Sequence, residues 1–318
     1  MQLSVVIPTH NPHAGRLQRT LAGLQAQNLP AKHWETLLVD NASAPALDPL
    51  SLPPGRPSNL RLLVEPTLGL TAARRCGFRA AQGELCVLVD DDNVLAPSYL
   101  AEVGRILSAN PEIGALGGSS RPEFETPPPA WAREFFPLLA LRDLGSQAIV
   151  AGLERATDGS HFVYPAWAPI GAGMAVRRTA ALPWVETAAD PTLSDRRGPA
   201  LSSGGDNDLV LAILKAGWKV GYFPELSLTH LIPNSRLDPE YLERLNRGIQ
   251  QSWMQVLTRH GANPWSTIPS WTVPLRQLKA WFTYRGWSRP AGRIRWQGAC
   301  GHFDGRANPA GRELAAVR

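Results

Sequence analysis

Cysteine is scarce in this chain of 318 residues: Cys76, Cys86 and Cys300, with no C-x-x-C spacing. That argues against a disulfide framework or a cysteine-bound zinc, and suits a reducing compartment. Long apolar runs are missing too, and no stretch approaches the ~20 residues of a membrane-crossing helix. The first residues, Met1 to Pro8, have no basic region and only a short apolar run, so they read as a first strand rather than a signal peptide. No G-x-G-x-x-G follows that strand, which counts against a dinucleotide-binding Rossmann domain. Acid is absent from one long segment: there is no Asp or Glu between Arg244 and Phe303. Residues 236–318 hold 13 basic and 5 acidic side chains against 19 and 22 in residues 1–235, so the whole excess of +5 lies in the tail. The acid-free segment also holds six of the 11 tryptophans: Trp253, Trp265, Trp271, Trp281, Trp287 and Trp296.

What is present is an ordinary globular composition, 44% hydrophobic and 19% charged, with room for one large domain or two modest ones. Strand and helix patterns alternate. Strands are expected at Leu3–Ile7, Glu35–Val39, Leu60–Val64, Leu85–Val89 and Ile113–Leu116. Helices are expected from about Gly15 to Gln27, from Thr71 to Ala81 and from Tyr99 to Ser108. Such alternation implies a mainly parallel sheet with helices on both faces. From Arg121 to about Tyr164 the pattern weakens, and Pro127-Pro128-Pro129 suggests an irregular excursion. Pattern returns at Ile170–Val176. A helix is expected from Asp206, as its cap, to Ala216, then a strand at Lys219–Phe223. Last comes a helix from Pro239 to about Arg259, capped by Asp238 and followed by Gly261.

The most informative run is Leu85 to Val89 followed by Asp90-Asp91-Asp92. An apolar run of that length reads as a buried parallel strand, and ligands bind at the carboxyl ends of such strands. Three adjacent carboxylates repel one another unless a cation balances them, and hard divalent cations that carry substrate phosphates take oxygen ligands. The bland alternative is a solvated acidic turn. Two other strands also end in polar clusters, Pro8-Thr9-His10-Asn11 and Asp40-Asn41-Ala42-Ser43, so the three ends form one crevice.

Taken in order, these segments resemble the inverting family-2 glycosyltransferases of the GT-A fold. The matching stretches are Ser4–Asn11, Leu37–Ser43, Gly69–Arg74, Gly83–Asp92, Gly171–Met174 and Gly205–Leu209, then Lys215–Trp218 and His230, covering roughly residues 1–235. The ordered set carries the resemblance rather than any one motif. It implies a nucleotide-diphosphate sugar held by Pro8, Thr9, Asn11, Asp40, Arg74, Asp90 and Asp91. It implies Mn2+ or Mg2+ on Asp90 and Asp92, with His230 completing the shell. Asp206 matches the catalytic base, with Asp208 as second candidate because Gly205 stands where the family often has Glu. Trp167, Gly171, Ala172, Gly173 and Asp208 would face the sugar or acceptor. Each has a plainer reading: Asp40 as a turn residue, Asp206 as a helix cap, Trp167 as core, and His230 as structural.

The expected organisation is a nucleotide-sugar-binding half (1–117), an acceptor-binding half of the same domain (118–235) and a helical, Trp/Arg-rich extension (236–318). The implied reaction is metal-dependent, inverting transfer of a sugar to a glycan or lipid-linked acceptor, in surface polysaccharide biosynthesis. The competing readings are a sugar-phosphate nucleotidyltransferase and an inactive glycan-binding homologue. Gln250-Gln251-Ser252-Trp253 lacks the arginine of the processive synthases' Q-x-x-R-W motif, which fits one sugar per acceptor visit. The tail, 244–303, suits an anionic membrane surface, with Leu275, Leu278, Trp281 and Phe282 as an apolar face beside Arg276, Lys279 and Arg285. Its plainer reading is packing on the domain. The expectation is a cytoplasmic protein, peripheral on the inner face of the membrane, with no nucleic-acid partner.

Overall fold

Val5, Val6 and Ile7 are all fully buried because the strand they form is covered on both faces. Successive side chains of a strand point to opposite sides. Thus Leu3, Val5 and Ile7 enter one hydrophobic core and Val6 the other. The same division holds for Leu38 against Leu37 and Val39, and for Leu85 and Val87 against Cys86 and Leu88.

The computed structural model describes residues 2–50, 52–187 and 201–309. In chain order the elements are β1 (Leu3–Thr9), α1 (Ala14–Gln25), β2 (Trp34–Asp40), β3 (Leu60–Val64), α2 (Leu70–Ala80), β4 (Leu85–Leu88) and β5 (Asn93–Leu95). There follow α3 (Tyr99–Ala109), β6 (Ile113–Phe124), a 3-10 helix (Ala130–Leu139), β7 (Ile149–Ala151), β8 (Glu154–Arg155), β9 (Phe162–Val163), β10 (Ala175–Arg177) and α4 (Arg178–Glu186). The last are α5 (Gly205–Lys215), β11 (Lys219–Ile232), α6 (Pro239–His260), α7 (Val273–Thr283) and α8 (Pro290–Ala307). The main sheet runs β3-β2-β1-β4-β10-β6-β11-β5, with β7 also on β11. Strands β3, β2, β1 and β4 are mutually parallel, as are β6 and β11; β10, β5 and β7 are antiparallel to their neighbours.

Two expectations are corrected. The strand expected at Ile113–Leu116 continues to Phe124, so Arg121–Phe124 belongs to the sheet rather than to the irregular excursion. The strand expected at Lys219–Phe223 continues to Ile232, which puts His230 inside β11 rather than beyond it. One cause serves both. The two strands pair with each other along nearly their whole length, from Lys219↔Ile113 to Ile232↔Phe124, with an irregularity between Tyr222 and Ser227. Long-range pairing overrides the low strand propensity of Gly117, Gly118 and Pro122.

A third core joins the tail to this body. Ala132, Phe135 and Leu139 of the 3-10 helix meet Ile232, Leu237, Leu242, Leu245 and Ile294. Helix α6 begins as expected, with Asp238 accepting from the backbone N–H groups of Glu240 and Tyr241, and ends at Gly261 in the left-handed region. Among the described residues no helix is long and apolar enough to cross a membrane.

Candidate active site

Parallel strands β1 and β4 end side by side, and the residues just past them open into a cavity of about 290 Å3. Pro8, Thr9 and His10 come from the end of β1, Asn41 from the end of β2 and Asp90, Asp91 and Asp92 from the end of β4. The start of α2 adds Leu68, Leu70, Ala73 and Arg74. The rest of the wall comes from later in the chain: Leu139 and Ala140, Gly171 and Ala172, Ser203, Asp206, His230 and Arg236. The acidic triplet and Asp206 therefore line one cavity.

Each carboxylate of the triplet has a different environment. Asp90 is half-buried, with Arg74 Nη2 3.5 Å from its Oδ1. Arg74 is itself buried and packs close to Gly171: a Cβ at residue 171 would lie 2.4 Å from Arg74 Nη2, so the guanidinium would have to shift. Asp91 accepts a hydrogen bond from the Thr9 hydroxyl. Burial, and then repulsion from Asp92, push the Asp91 carboxyl up to about 7 against that hydrogen bond. Asp92 is buried, with His230 Nε2 3.3 Å from Oδ1 and Arg236 Nη2 3.8 Å from Oδ2. The sheet explains the histidine: β11 pairs antiparallel with β5, setting His230 opposite Asn93, the residue after the triplet. His230 Nδ1 is buried and has no hydrogen-bond partner among the described residues. Burial pulls the Arg236 guanidinium down. Tyr241, Asp92 and Asp90 more than offset this and hold it above its usual range.

Asp206 does not cap its helix. The cap position is Gly204, which makes no side-chain bond, and its carbonyl accepts from Asp208 N–H at 2.8 Å. Asp206 lies in the first turn, where a carboxylate is favoured by the helix dipole. Its Oδ2 accepts from the backbone N–H of Gly171 at 2.9 Å and its Oδ1 from that of Asn207 at 3.1 Å. The carboxylate is thus tied to the Gly171 turn and set at the cavity wall.

Ten of the residues singled out in the sequence meet at this cavity: Pro8, Thr9, Arg74, Asp90, Asp91, Asp92, Gly171, Ala172, Asp206 and His230. Five do not line it. Asn11 turns to the neighbouring loop, its Oδ1 accepting from Ala44 N–H. Asp40 is buried, with both oxygens occupied by the backbone N–H groups of Ser43 and Leu47, so it organises the loop after β2. Trp167 packs against the core that holds Met174 and Val176. Gly173 has φ +77 and its carbonyl accepts from the buried Tyr99 hydroxyl at 2.6 Å. Asp208 is buried, accepting from Trp184 Nε1 at 2.7 Å and lying 2.8 Å from His260 Nε2. Among wall residues the sequence reading passed over, Asn41 stood next to Asp40. Its amide bonds the carbonyls of Glu65 and Thr67 and the N–H of Gly69, tying β2 to the start of α2. Arg236 had no motif around it, because it is the fold of β11 that brings it beside the aspartates.

A family model described as Glycosyl transferase family 2 matches residues 4–165. Among curated proteins, the O-antigen biosynthesis protein RfbC of Myxococcus xanthus is 35% identical over 117 residues. That match takes in 36% of this chain and only 9% of the relative's length. Among solved structures, the mannosyltransferase PcManGT from Pyrobaculum calidifontis, in complex with GDP-Man and Mn2+, superposes with a TM-score of 0.53 at 18% identity. The match covers 94% of this chain and 73% of that one. At that identity the likeness is one of fold, a mostly parallel sheet flanked by helices of the GT-A type.

Proposed function

The chain belongs to glycosyl transferase family 2, and on that premise we propose that it transfers a sugar from a nucleotide-diphosphate sugar to a hydroxyl of a glycan or lipid-linked acceptor, with inversion, in surface polysaccharide assembly. The observation that carries the reading is the sharing of one cavity by Asp90, Asp91, Asp92 and Asp206, with the cations Arg74 and Arg236 in the same wall. The name of the RfbC relative supports the polysaccharide context, and the donor bound by PcManGT supports the donor class.

The residues present suit a divalent cation shared with the donor. A buried carboxylate and imidazole 3.3 Å apart, Asp92 and His230, offer oxygen and nitrogen donors, and Asp90 is close by in the same wall. Among the described residues no group of three or more His, Cys, Asp or Glu side chains is arranged to hold an ion alone. An ion held here would take its remaining ligands from diphosphate oxygens and water. When bound, it would supply positive charge to the leaving diphosphate.

The chain's own groups do the rest. Residues 1–117 supply the donor side, with Pro8, Thr9 and Asn41 beside the nucleotide and Arg74 near its phosphates. Residues 118–235 supply the acceptor side, with Gly171, Ala172 and Ser203 close to the sugar or acceptor. Arg236, the first residue of the extension, adds charge to offset that of the diphosphate. Asp206 accepts the acceptor's proton while the acceptor oxygen attacks the anomeric carbon and the bond to the diphosphate breaks on the other side. A single displacement of this kind inverts the anomeric configuration.

The test is a panel of nucleotide sugars with Mn2+, scored by release of nucleotide diphosphate with and without acceptor lipids. Turnover of at least one donor is expected, and hydrolysis of none would count against the reading. Asp206→Asn should keep donor binding and lose transfer by about a hundredfold or more. Near-normal turnover would remove the base role from Asp206.

A further inference from the structure

Among the described residues, helix α7 meets protein on one face only. Ala280 is buried there, Gln277 Nε2 donates to Asp304 Oδ1 at 3.0 Å, and the Gln277 carbonyl accepts from Trp296 Nε1 at 3.0 Å. Another face carries Leu275, Leu278 and Phe282, spaced three and four residues apart as in a single helical stripe, and Trp271 lies in the 3-10 turn (Ser270–Thr272) just before the helix. All four are more than half exposed, from 54% for Leu278 to 74% for Trp271. Trp287, 58% exposed, extends the patch past the helix end, its ring 5.7 Å from that of Phe282. Trp281, expected on this face, instead packs edge-on against Trp296. A contiguous apolar patch of this kind marks a contact surface rather than chance exposure.

Charge identifies the occupant. Arg276, Lys279 and Arg285 are exposed beside the stripe, and no acid occurs between Arg244 and Phe303. A recess lined by Arg285, Ser288 and Arg289 lies in the turn that carries Trp287. A symmetric contact between two copies would set these cations against themselves, since the carboxylate of that recess, Glu134, is already paired with Arg295. An anionic bilayer answers both features, taking the aromatic and aliphatic side chains into its interface and the cations at its phosphates. We propose that α7 and the turn after it form the face by which this protein docks on an anionic membrane.

The site lies within reach of that face. The 3-10 helix Ala130–Leu139 puts Leu139 in the wall of the candidate active site and Ala130, Trp131 and Glu134 in the wall of the basic recess. At about 2 Å per residue its ten residues span about 20 Å. A lipid-linked acceptor held in the bilayer would therefore present its sugar near the cavity. This last step rests on the sugar-transfer reading; the docking does not.

The experiment is co-sedimentation of the full chain, without nucleotide sugar, on phosphatidylcholine vesicles with and without phosphatidylglycerol. Binding to the anionic vesicles is expected, falling as salt rises, with little on phosphatidylcholine alone. The double variant Leu278→Asp/Phe282→Asp should bind the anionic vesicles about tenfold more weakly or worse. Its thermal midpoint and donor hydrolysis should match the parent. No binding at low salt, or equal binding by the double variant, would overturn the proposal. So would a lipid-free dimer in sedimentation velocity that the double variant abolishes. Because the readout needs no donor, failure of docking leaves the transfer reading untouched, and failure of transfer leaves docking untouched.

Discussion

Asp206 and Asp208 stand two residues apart on α5, and the helix turns them roughly 200° away from one another. One carboxylate reaches the cavity; the other is committed to Trp184 and His260. Burial raises the Asp208 carboxyl, but His260, Arg259 and Trp184 more than offset this and hold it below the usual carboxylate range. Its stabilising contribution is therefore present above its unfolded value near pH 4 and lost as pH falls through the lower folded value. Asp208→Asn should cost about 1–3 kcal/mol at pH 7, and the difference from the parent should shrink below about pH 4. Urea titrations at neutral and acid pH check this, and a constant difference would refute it. Asp92→Ala tests the other carboxylate that faces a histidine. Metal-dependent binding of nucleotide diphosphate, measured by calorimetry, should disappear with the unfolding transition retained. Unchanged affinity would move the ion away from Asp92. At this scale the sequence showed which residue types sit at the strand ends, but not which neighbour of each pair turns inward. Asp40 and Asn41 are adjacent and both polar; Asn41 stands at the cavity with its amide donating to the Glu65 and Thr67 carbonyls, while the Asp40 carboxyl, which can only accept when ionised, takes the Ser43 and Leu47 amides.

Among the elements, the buried strands and the capped helix α6 were legible because their signals are local: apolar runs at β1 and β4, Asp238 before Pro239, Gly261 at the end. The far halves of β6 and β11 were not, because each is a strand by virtue of the other. Gly118 marks where they crowd. A Cβ on it would lie 1.8 Å from the carbonyl oxygen of Leu226 and 2.6 Å from that of Phe223, both backbone atoms that cannot swing aside. Gly118→Ala should therefore destabilise by about 1–3 kcal/mol or more, read as a lower urea midpoint. A midpoint equal to the parent's would show that the irregularity between Tyr222 and Ser227 absorbs the added carbon.

For the whole molecule, the question left by the sequence was whether the basic, tryptophan-rich tail packs or stands off. The structure divides the segment residue by residue, and the packing reading holds for part of it. Ile294 is fully buried in the third core and Trp296 packs edge-on against Trp281, while Trp271, Leu275 and Phe282 face outward. Composition could not separate these, since the division depends on which turn of α7 faces α8. Because the third core joins the end of β11 to α6, α8 and the 3-10 helix, the tail and the sheet should melt together. Calorimetry should show one transition with matching calorimetric and van't Hoff enthalpies. Two resolved peaks would mean that the extension is an independent unit.

The cavity wall is split by chain position: Pro8 to Asp92, then Leu139 and Ala140, lie within the matched residues 4–165, and Gly171, Ala172, Ser203, Asp206, His230 and Arg236 all lie after them. On the proposed transfer reading, a match to the first half alone covers the grip on the nucleotide and leaves the base and the surroundings of the acceptor to the stretch after it.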